Sequence, residues 1–228
     1  IVNKSKLNLK NNNLKKDNFY LENFHKIVNS NSLNDYRVKI IKDINNHKKL
    51  RDYYYKISRK YLEILVGNEL AIQKNINLSI QLPYDKSSIL PIHADTWSGN
   101  SPYEIVVWVP LVNCVKTQSM FILDKKYYSS VQSNLKRGIY KNSNKFYNSV
   151  KKNLKWINIK YGELLIFDQT LPHGNIENIE KKTRWSLNCR FKSILSPYGT
   201  KKLGEYFTPI NIKPITKIGL SYRNPFEK

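Results

Sequence analysis

The chain has 228 residues, of which 40% are hydrophobic and 12% aromatic, and its formal net charge is +22. This composition is typical of a globular protein that can bury one substantial core. It excludes a membrane-spanning helix, because the longest apolar run, residues 105–112, is far shorter than the roughly 20 residues that a span needs. No basic segment followed by an apolar stretch marks a secretory signal, so we expect a cytoplasmic protein.

The N-terminal part of the chain predicts a loose basic segment followed by helices. Residues 1–17 are polar, lysine-rich and without periodicity. From Asn18 to about Val66 the apolar residues recur at helical spacing, and Gly67-Asn68 is a typical helix end. We expect residues 18–68 to be helical and to pack, with the tyrosines at 53–55, on the outside of a β-core. The apolar stripes are Leu21, Phe24, Ile27 and Val28, and then Leu50, Tyr54, Ile57, Tyr61, Leu62 and Leu65.

From residue 70 onward the apolar residues alternate with polar ones, which predicts strands. The first strand is residues 76–82, and its polar side chains, Gln81 above all, are candidates to line a pocket. Further strands are predicted at residues 105–109, 119–123, 156–159, 164–167 and 185–192. We expect a single domain over residues 18–228, with the β-core at 70–195 and a C-terminal tail at 196–228.

Two segments between the predicted strands are expected to govern substrate choice. The loop at residues 97–104 is rich in turn-forming residues, and residues 125–155 carry many Lys, Tyr and Ser with little apolar content. The second segment predicts a helical insert or lid. Loops on a rigid scaffold are the usual place of recognition.

His93-Ala94-Asp95, together with the distant His173, has the composition of a non-haem Fe(II) site. Two imidazoles and one carboxylate on one face of the ion leave the opposite face open. In an extended segment residues i and i+2 project to the same side, so His93 and Asp95 can reach one ion while His173 arrives from another strand. A carboxylate in place of glycine or alanine argues against a halogenase-type site. A histidine taken alone is more often structural than a ligand, so the prediction depends on the whole set.

Arg184 begins a segment in which polar and apolar residues alternate. One face carries Arg184, Ser186, Asn188 and Arg190, and the other carries Trp185, Leu187, Cys189 and Phe191. A guanidinium is a planar fork that matches a carboxylate, so Arg184 is the expected partner of the distal (C5) carboxylate of 2-oxoglutarate. The alternative, that both arginines face solvent in a very basic protein, stays open.

The net charge favours an anionic or sugar-linked small-molecule substrate over nucleic acid. Lysines are spread along the chain among many Asn and Ile residues, and no basic block with interleaved aromatic residues resembles a nucleic-acid track. Cys114 and Cys189 lack the spacing of a metal site and are expected to stay reduced and structural. Nothing in the sequence indicates an oligomeric state.

Five segments together resemble the Fe(II)/2-oxoglutarate-dependent dioxygenases of the phytanoyl-CoA hydroxylase superfamily, in particular its bacterial members from surface-carbohydrate and secondary-metabolite pathways. The segments are IHADTW at 92–97, VVWVPL at 106–111, GELLIFD at 162–168, HGN at 173–175 and RWSL at 184–187. The resemblance covers residues 70–195, and the His-x-Asp…His…Arg set is its most specific part.

The resemblance implies a mainly β fold with a double-stranded β-helix (jelly-roll) core that the N-terminal helices buttress. It implies Fe(II) at His93, Asp95 and His173, and 2-oxoglutarate at Arg184. It also places four residues near the cosubstrate: Gln81, Thr96, Trp108 and Asn175. Substrate is expected to contact Trp97, Tyr103 and Arg190.

The sequence departs from the family pattern at two places. Asn175 stands where relatives often carry serine, and the usual Pro-Gly-Ser-His segment after the Trp108 strand is replaced by Ile122-Leu123-Asp124-Lys125. These departures bear on the identity of the substrate and not on the iron ligands.

The prediction is an oxidoreductase that hydroxylates an unactivated C–H bond of a small molecule, such as a sugar or sugar nucleotide of surface-polysaccharide biosynthesis. Desaturation, epimerisation and ring closure stay open, because the same centre serves all of them. Three other functions are alternatives. An AlkB-like nucleic-acid demethylase also has an arginine pair on one strand; a zinc hydrolase would use the same three ligands but give Arg184 no role; a non-enzymatic jelly-roll carbohydrate-binding module would leave the histidines incidental.

Overall fold

The computed structural model describes residues 21–226, so the loose segment predicted at residues 1–17 lies outside the described residues. Within the described part the chain forms five α-helices and nine β-strands. Helix accounts for 37% and strand for 23% of these residues. The fold is therefore a mixed helical and antiparallel-sheet fold and not the mainly β one that the resemblance implies. The extra helix lies in the N-terminal region, the insert and the C-terminal tail, all outside the sheets.

The predicted N-terminal helices are present. A 3-10 helix spans Leu21–Lys26, α1 spans Ser30–Asn46 and α2 spans Leu50–Leu65. Asn29 caps α1, because its side-chain oxygen accepts hydrogen bonds from the first free backbone N–H groups of the helix at 3.1 Å. Helix α2 ends just before Gly67, whose φ of 101° is readily adopted by glycine.

The apolar stripe predicted for α2 is only partly buried. Tyr54 and Tyr55 are buried but Tyr53 is 49% exposed, because successive residues of an α-helix are about 100° apart and cannot all face one sheet. Three further residues of the predicted stripe are also exposed: Ile57, Tyr61 and Leu65. The helix therefore packs on the core along a narrower face than its apolar content suggests.

Nine strands form two antiparallel sheets in the described part of the chain. The larger sheet contains β1 Leu70–Gln73, β2 Asn77–Gln81, β3 Glu104–Pro110, β6 Leu165–Asp168, β8 Arg184–Ser193 and β9 Phe207–Asn211. The smaller sheet contains β4 Phe121–Leu123, β5 Leu154–Trp156 and β7 His173–Gly174. The strand order is β6-β3-β8-β1-β9, with β2 on β8 as well, and β5-β4-β7.

Each of the six predicted strands overlaps an observed strand, although the strand predicted at 156–159 shares only residue 156 with β5. Three strands were not predicted: β1, β7 and β9. Strand β1 is buried along its whole length and so shows no alternation, and β7 has only two residues. Strand β9 belongs to the C-terminal tail and pairs with β1. Alternation identifies strands with one polar face and misses a strand such as β1, which is buried on both faces.

Strand β8 is the centre of the larger sheet. It pairs with β3 along most of its length, and its two ends pair with β2 and β1. Its apolar face lies under the N-terminal helices, where the ring centroid of Phe24 is 4.9 Å from that of Trp185 and Tyr54 is 6.4 Å from Phe191. The polar side chains of β8 therefore point to the other side, between the two sheets.

The insert at residues 125–155 is helical, as predicted, and covers the smaller sheet. It contains α3 Tyr128–Lys136 and α4 Ser143–Val150. These helices bury a second apolar cluster that includes Phe121, Val131, Phe146 and Val150. A fifth helix, α5, spans Pro214–Ser221 near the C-terminus. Among the described residues, no helix has the length and apolar content to cross a membrane.

Gly174 of β7 lies against the backbone of residues 90–92. A Cβ at this position would lie 2.8 Å from the Leu90 carbonyl oxygen and 3.1 Å from the Ile92 nitrogen. Gly174→Ala is therefore expected to displace this segment and to lower the free energy of unfolding by about 1–3 kcal/mol, the usual cost of overpacking. Chemical denaturation of the variant and the parent protein measures this difference.

Gly219→Ala in α5 is the matched control, because nothing lies within 4 Å of the added Cβ. Alanine is favoured over glycine in a helix by about 1 kcal/mol, so this variant is expected to match or exceed the parent protein in stability. Equal stabilities of the two alanine variants would contradict the close approach at Gly174.

Candidate metal centre

A backbone bridge brings the two histidine segments together. The His93 N–H donates to the His173 carbonyl at 2.9 Å, and the His173 N–H donates to the His93 carbonyl at 2.8 Å. Asp95 is tied to the same chain segment, because its N–H donates to the Gln169 carbonyl at 3.1 Å. Residues directly opposite each other in an antiparallel pair project to the same face. The two imidazoles therefore lie side by side, with ring centroids 4.5 Å apart.

The three predicted metal ligands form one cluster. One ligand atom from each of His93, Asp95 and His173 lies within 4.8 Å of the other two, and His93 Nε2 is 3.6 Å from Asp95 Oδ1. The strand geometry predicted for His93 to Asp95 extends only to Ala94, because Asp95 begins a short 3-10 helix, Asp95–Ser98. The turn, rather than a continued strand, directs the carboxylate to the imidazoles.

Backbone carbonyls hold both imidazoles in one orientation. His93 Nδ1 is 2.8 Å from the Pro91 carbonyl oxygen, and His173 Nδ1 is 2.9 Å from the Leu171 carbonyl oxygen. A carbonyl oxygen only accepts, so Nδ1 carries the proton and Nε2 is left with a free lone pair. This is the usual second contact of a metal-binding histidine.

The charges of the cluster suit a divalent cation. Burial acts to raise the pKa of Asp95, but the adjacent His93 and the positive charge of Arg190 outweigh it, and the pKa falls to about 2. Burial, with the neighbouring His93, lowers the pKa of His173 to about 4. Near neutral pH the pair is therefore a carboxylate and a neutral imidazole, the protonation states that metal ligation requires.

The cluster opens into a cavity between the two sheets. Its volume is about 120 Å³, well below the roughly 300–1,000 Å³ of pockets for drug-sized ligands, so it suits a small acid. Besides the three candidate ligands, it is lined by Ser79, Ser88, Leu90, Val106, Trp108, Met120, Phe167, Gly174, Asn175, Arg184, Ser186, Asn188 and Arg190. All four polar residues predicted for one face of β8 are among them.

Arg184 lies deep in this cavity with part of its hydrogen-bonding capacity unused. It is 5% exposed; Nη1 donates to the Ser119 carbonyl at 3.0 Å and Nη2 to Ser79 Oγ at 2.9 Å. Its Nε has no partner, and neither have the hydroxyls of Ser119 and Ser186. Arg184 forms no ion pair with a carboxylate of residues 21–226, and burial lowers its pKa to about 10.

A buried, unpaired guanidinium with free hydroxyls beside it is costly unless an anion joins it. Arg184 and Ser186 both line this small cavity and bring one positive charge and unused hydrogen-bond donors to it. They fit the carboxylate of a bound acid, which accepts several hydrogen bonds and supplies the missing negative charge.

The other predicted cosubstrate residues are only partly in the cavity. Trp108 and Asn175 line it. Gln81 does not, because it is fully buried behind Asn175: its Nε2 donates to the Ile176 carbonyl at 2.6 Å and its Oε1 accepts from Asn175 at 3.2 Å. Thr96 is half-buried in the 3-10 helix and outside the cavity lining.

Two of the three predicted substrate contacts lie outside the cavity. Trp97 is 46% exposed, and its ring is 6.0 Å from Phe146 of α4. Tyr103 is 56% exposed and borders a separate concavity that includes Leu65. The third, Arg190, lines the cavity but is hydrogen-bonded to Asp95. Position in a loop after the ligands therefore did not suffice to place a side chain in the cavity.

Ser79 belongs to the polar face of the predicted strand at 76–82, and it lines the cavity where Gln81 does not. Sequence reasoning missed Ser88 and Met120 in the lining. Ser88 lies in a connecting segment, and Met120 lies in the predicted strand 119–123 without a pattern that marks it as a lining residue.

No protein-family model and no curated protein matches the chain. Solved structures share its fold. The metal-free form of the non-heme monooxygenase ThoJ has a TM-score of 0.52 at 14% identity, over 68% of this chain and 57% of that chain. HygX from Streptomyces hygroscopicus with iron bound has a TM-score of 0.52 at 12% identity, over 77% of this chain and 82% of that chain.

HygX has also been solved with nickel and 2-oxoglutarate, and this form has a TM-score of 0.51 at 11% identity over the same shares, 77% and 82%. The chain thus spans little more than half of the ThoJ chain and most of HygX. Identities this low show a common fold. That fold holds a metal and 2-oxoglutarate in HygX.

Arg184→Met tests the anion site in the absence of any reaction. Replacing a buried, unpaired charge by an apolar side chain of similar length is often neutral or stabilising. The ligand-free variant is therefore expected to melt at or above the temperature of the parent protein. With Mn(II) present throughout, added 2-oxoglutarate is expected to raise the melting temperature of the parent more than that of the variant, because ligand binding stabilises by about 2.7 kcal/mol at 100 times Kd. An equal shift in both proteins would contradict the assignment.

Proposed function

We propose that the protein is a Fe(II)- and 2-oxoglutarate-dependent dioxygenase that hydroxylates an unactivated C–H bond of a small molecule. The observation that carries the proposal is the His93–Asp95–His173 cluster in the same cavity as the unpaired guanidinium of Arg184. Neither the metal cluster alone nor the anion site alone requires this chemistry. A metal site without an anion site would fit a hydrolase, and an anion site without metal ligands would fit a binding protein.

In this proposal His93, Asp95 and His173 hold the iron, and Arg184 with the hydroxyl of Ser186 holds the distal carboxylate of 2-oxoglutarate. Together the two groups would supply dioxygen activation coupled to decarboxylation of the 2-oxo acid. The protein's own contribution is to bind, orient and exclude water. Trp108, Met120 and Phe167 provide apolar walls for this purpose. The family likeness in the sequence further supports a jelly-roll arrangement of the two sheets.

The small cavity leaves the substrate to approach the metal from outside, beside the helical insert. Trp97, two residues after Asp95, contacts Phe146 of α4 and so joins the insert to the site. Residues 124–155 carry nine Lys and Arg against one Asp, a net charge of +8, and all nine basic side chains are exposed. This concentration of charge supports an anionic substrate.

A sugar or sugar nucleotide of surface-polysaccharide biosynthesis fits a site that a negatively charged substrate approaches from outside the cavity. It combines unactivated C–H bonds with, in the nucleotide form, phosphate groups that basic side chains attract. The sequence resemblance to bacterial carbohydrate-pathway members supports the same class.

The test is anaerobic reconstitution with Fe(II) and 2-oxoglutarate. Chelation of the 2-oxo acid to ferrous iron is expected to give a weak visible charge-transfer band, which disappears in Asp95→Ala and in Arg184→Ala because each removes one anchor. Tyr103→Phe is the control, since Tyr103 lies outside the cavity, and it is expected to keep the band. Circular dichroism confirms that all variants are folded.

The outcomes separate the proposal from the zinc hydrolase and from the carbohydrate-binding module. A zinc hydrolase would turn over without dioxygen or 2-oxoglutarate and would be indifferent to Arg184→Ala. A carbohydrate-binding module would bind ligand equally well after His173→Ala. Absence of the band in folded parent protein would refute the proposal.

A further inference from the structure

Arg190 is a buried cation that the proposed reaction does not use directly. We propose that Arg190 is a positioning residue: it holds one oxygen of the Asp95 carboxylate so that the other oxygen alone is presented to the metal. The inference rests on the metal site proposed above. This positioning role replaces the substrate contact that the sequence predicts for Arg190.

The contacts divide the two oxygens of Asp95 between different partners. Arg190 Nη2 is 2.7 Å from Asp95 Oδ2, and Arg190 Nε is 3.2 Å from the same atom. Oδ1 faces the imidazoles, 3.6 Å from His93 Nε2. Both side chains are largely buried, at 13% and 10% exposure. The guanidinium therefore occupies the side of the carboxylate that points away from the histidines.

Arg190 is itself fixed by uncharged partners on every side. Nε also donates to Gln169 Oε1 at 3.1 Å, and Nη1 donates to Gln73 Oε1 at 3.1 Å and to Tyr206 OH at 3.2 Å. Only one of its five N–H groups is left over, on Nη2. Such a nearly saturated guanidinium has little capacity left for a substrate.

Gln169 joins this network to the backbone of the ligand loop. Its Nε2 donates to Glu104 Oε2 and to the Ser101 carbonyl, both at 2.8 Å, which turns its Oε1 toward Arg190. Its own carbonyl accepts the N–H of Asp95 at 3.1 Å. Glu104, Gln169, Arg190 and Asp95 thus form a continuous hydrogen-bonded chain from the core to the metal site.

The consequence concerns how many positions the carboxylate takes on the metal. A carboxylate with two free oxygens can bind a cation through one or both of them. Binding through both would take a position that the 2-oxo acid or dioxygen needs on a six-coordinate ion. With Oδ2 held by Arg190, Asp95 is restricted to one oxygen, and the open face of the metal is preserved.

An electrostatic role and an orienting role of Arg190 predict opposite changes in metal affinity when Arg190 is removed. A guanidinium next to the site repels a divalent cation, so a purely electrostatic role predicts tighter metal binding after Arg190→Met. An orienting role predicts weaker metal binding, because mutation of a residue that orients a metal ligand typically lowers metal affinity roughly 10–100-fold. The direction of the change in metal affinity therefore distinguishes the electrostatic role from the orienting role.

The experiment titrates metal-free protein with Co(II) alone under anaerobic conditions and follows the visible absorption of the bound ion. Arg190→Met is expected to raise the Co(II) dissociation constant roughly 10–100-fold. Arg190→Lys keeps the charge but cannot bridge Asp95 and Gln169, and is expected to fall between Arg190→Met and the parent. Gln169→Leu keeps the guanidinium but removes one of the side chains that fix it, and is expected to raise the Co(II) dissociation constant by less than Arg190→Met does.

Lys192→Met is the matched control for loss of a buried cation. Lys192 lies on the same face of β8, is fully buried, and donates to the Ser196 and Pro197 carbonyls at 2.8 and 2.9 Å, away from the cavity. Its loss is expected to lower the melting temperature and to leave the Co(II) constant within twofold of the parent.

Unchanged or tighter Co(II) binding by Arg190→Met and Gln169→Leu would overturn the positioning role. The same result in Gln169→Leu would overturn it even if Arg190→Met does not fold. Failure of the parent protein to bind Co(II) would instead refute the metal site, so the two proposals fail separately.

Discussion

The site depends on the pair of backbone hydrogen bonds between His93 and His173. These bonds, at 2.9 and 2.8 Å, join two segments that lie far apart in the chain and place their imidazoles next to each other before any ion is present. The adjacent bond from the Asp95 N–H to the Gln169 carbonyl adds the carboxylate. Because backbone bonds set the positions, the three ligand side chains lose little further freedom when a metal binds, and the site is preorganised.

The two arginines of β8 have the same side chain but different partners, and these partners give them different roles. Both project from the polar face of the strand into the same cavity. Arg190 has a carboxylate partner within the protein, and its charge is neutralised by Asp95. Arg184 has none among the described residues, and its cost of burial is left for a ligand to offset. A buried charge that the fold itself satisfies stabilises the site, whereas one left unsatisfied selects an anion.

The cavity lies between the two sheets, and helices cover the outer side of each sheet. The apolar face of β8 is covered by α1 and α2, which close the large sheet, and the smaller sheet is covered by α3 and α4. The narrow space between the sheets is lined by residues of both. The insert reaches the edge of this space through the contact of Phe146 with Trp97. The basic side chains of the insert therefore lie on a different element from the metal ligands.

The sequence by itself determined the local features: the helices up to Gly67, the alternating strands, the helical insert, and the residue types of a metal and anion site. Periodicity reports which side chains share a face, because that depends only on backbone geometry. Tertiary structure decided which atoms meet. The pairing of Arg190 with Asp95, the placement of Gln81 behind Asn175, the exposure of Tyr103 and the pairing of β9 with β1 all join segments distant in the chain. Such contacts depend on strand register and on the turn at Asp95, and no local pattern of residues encodes either one.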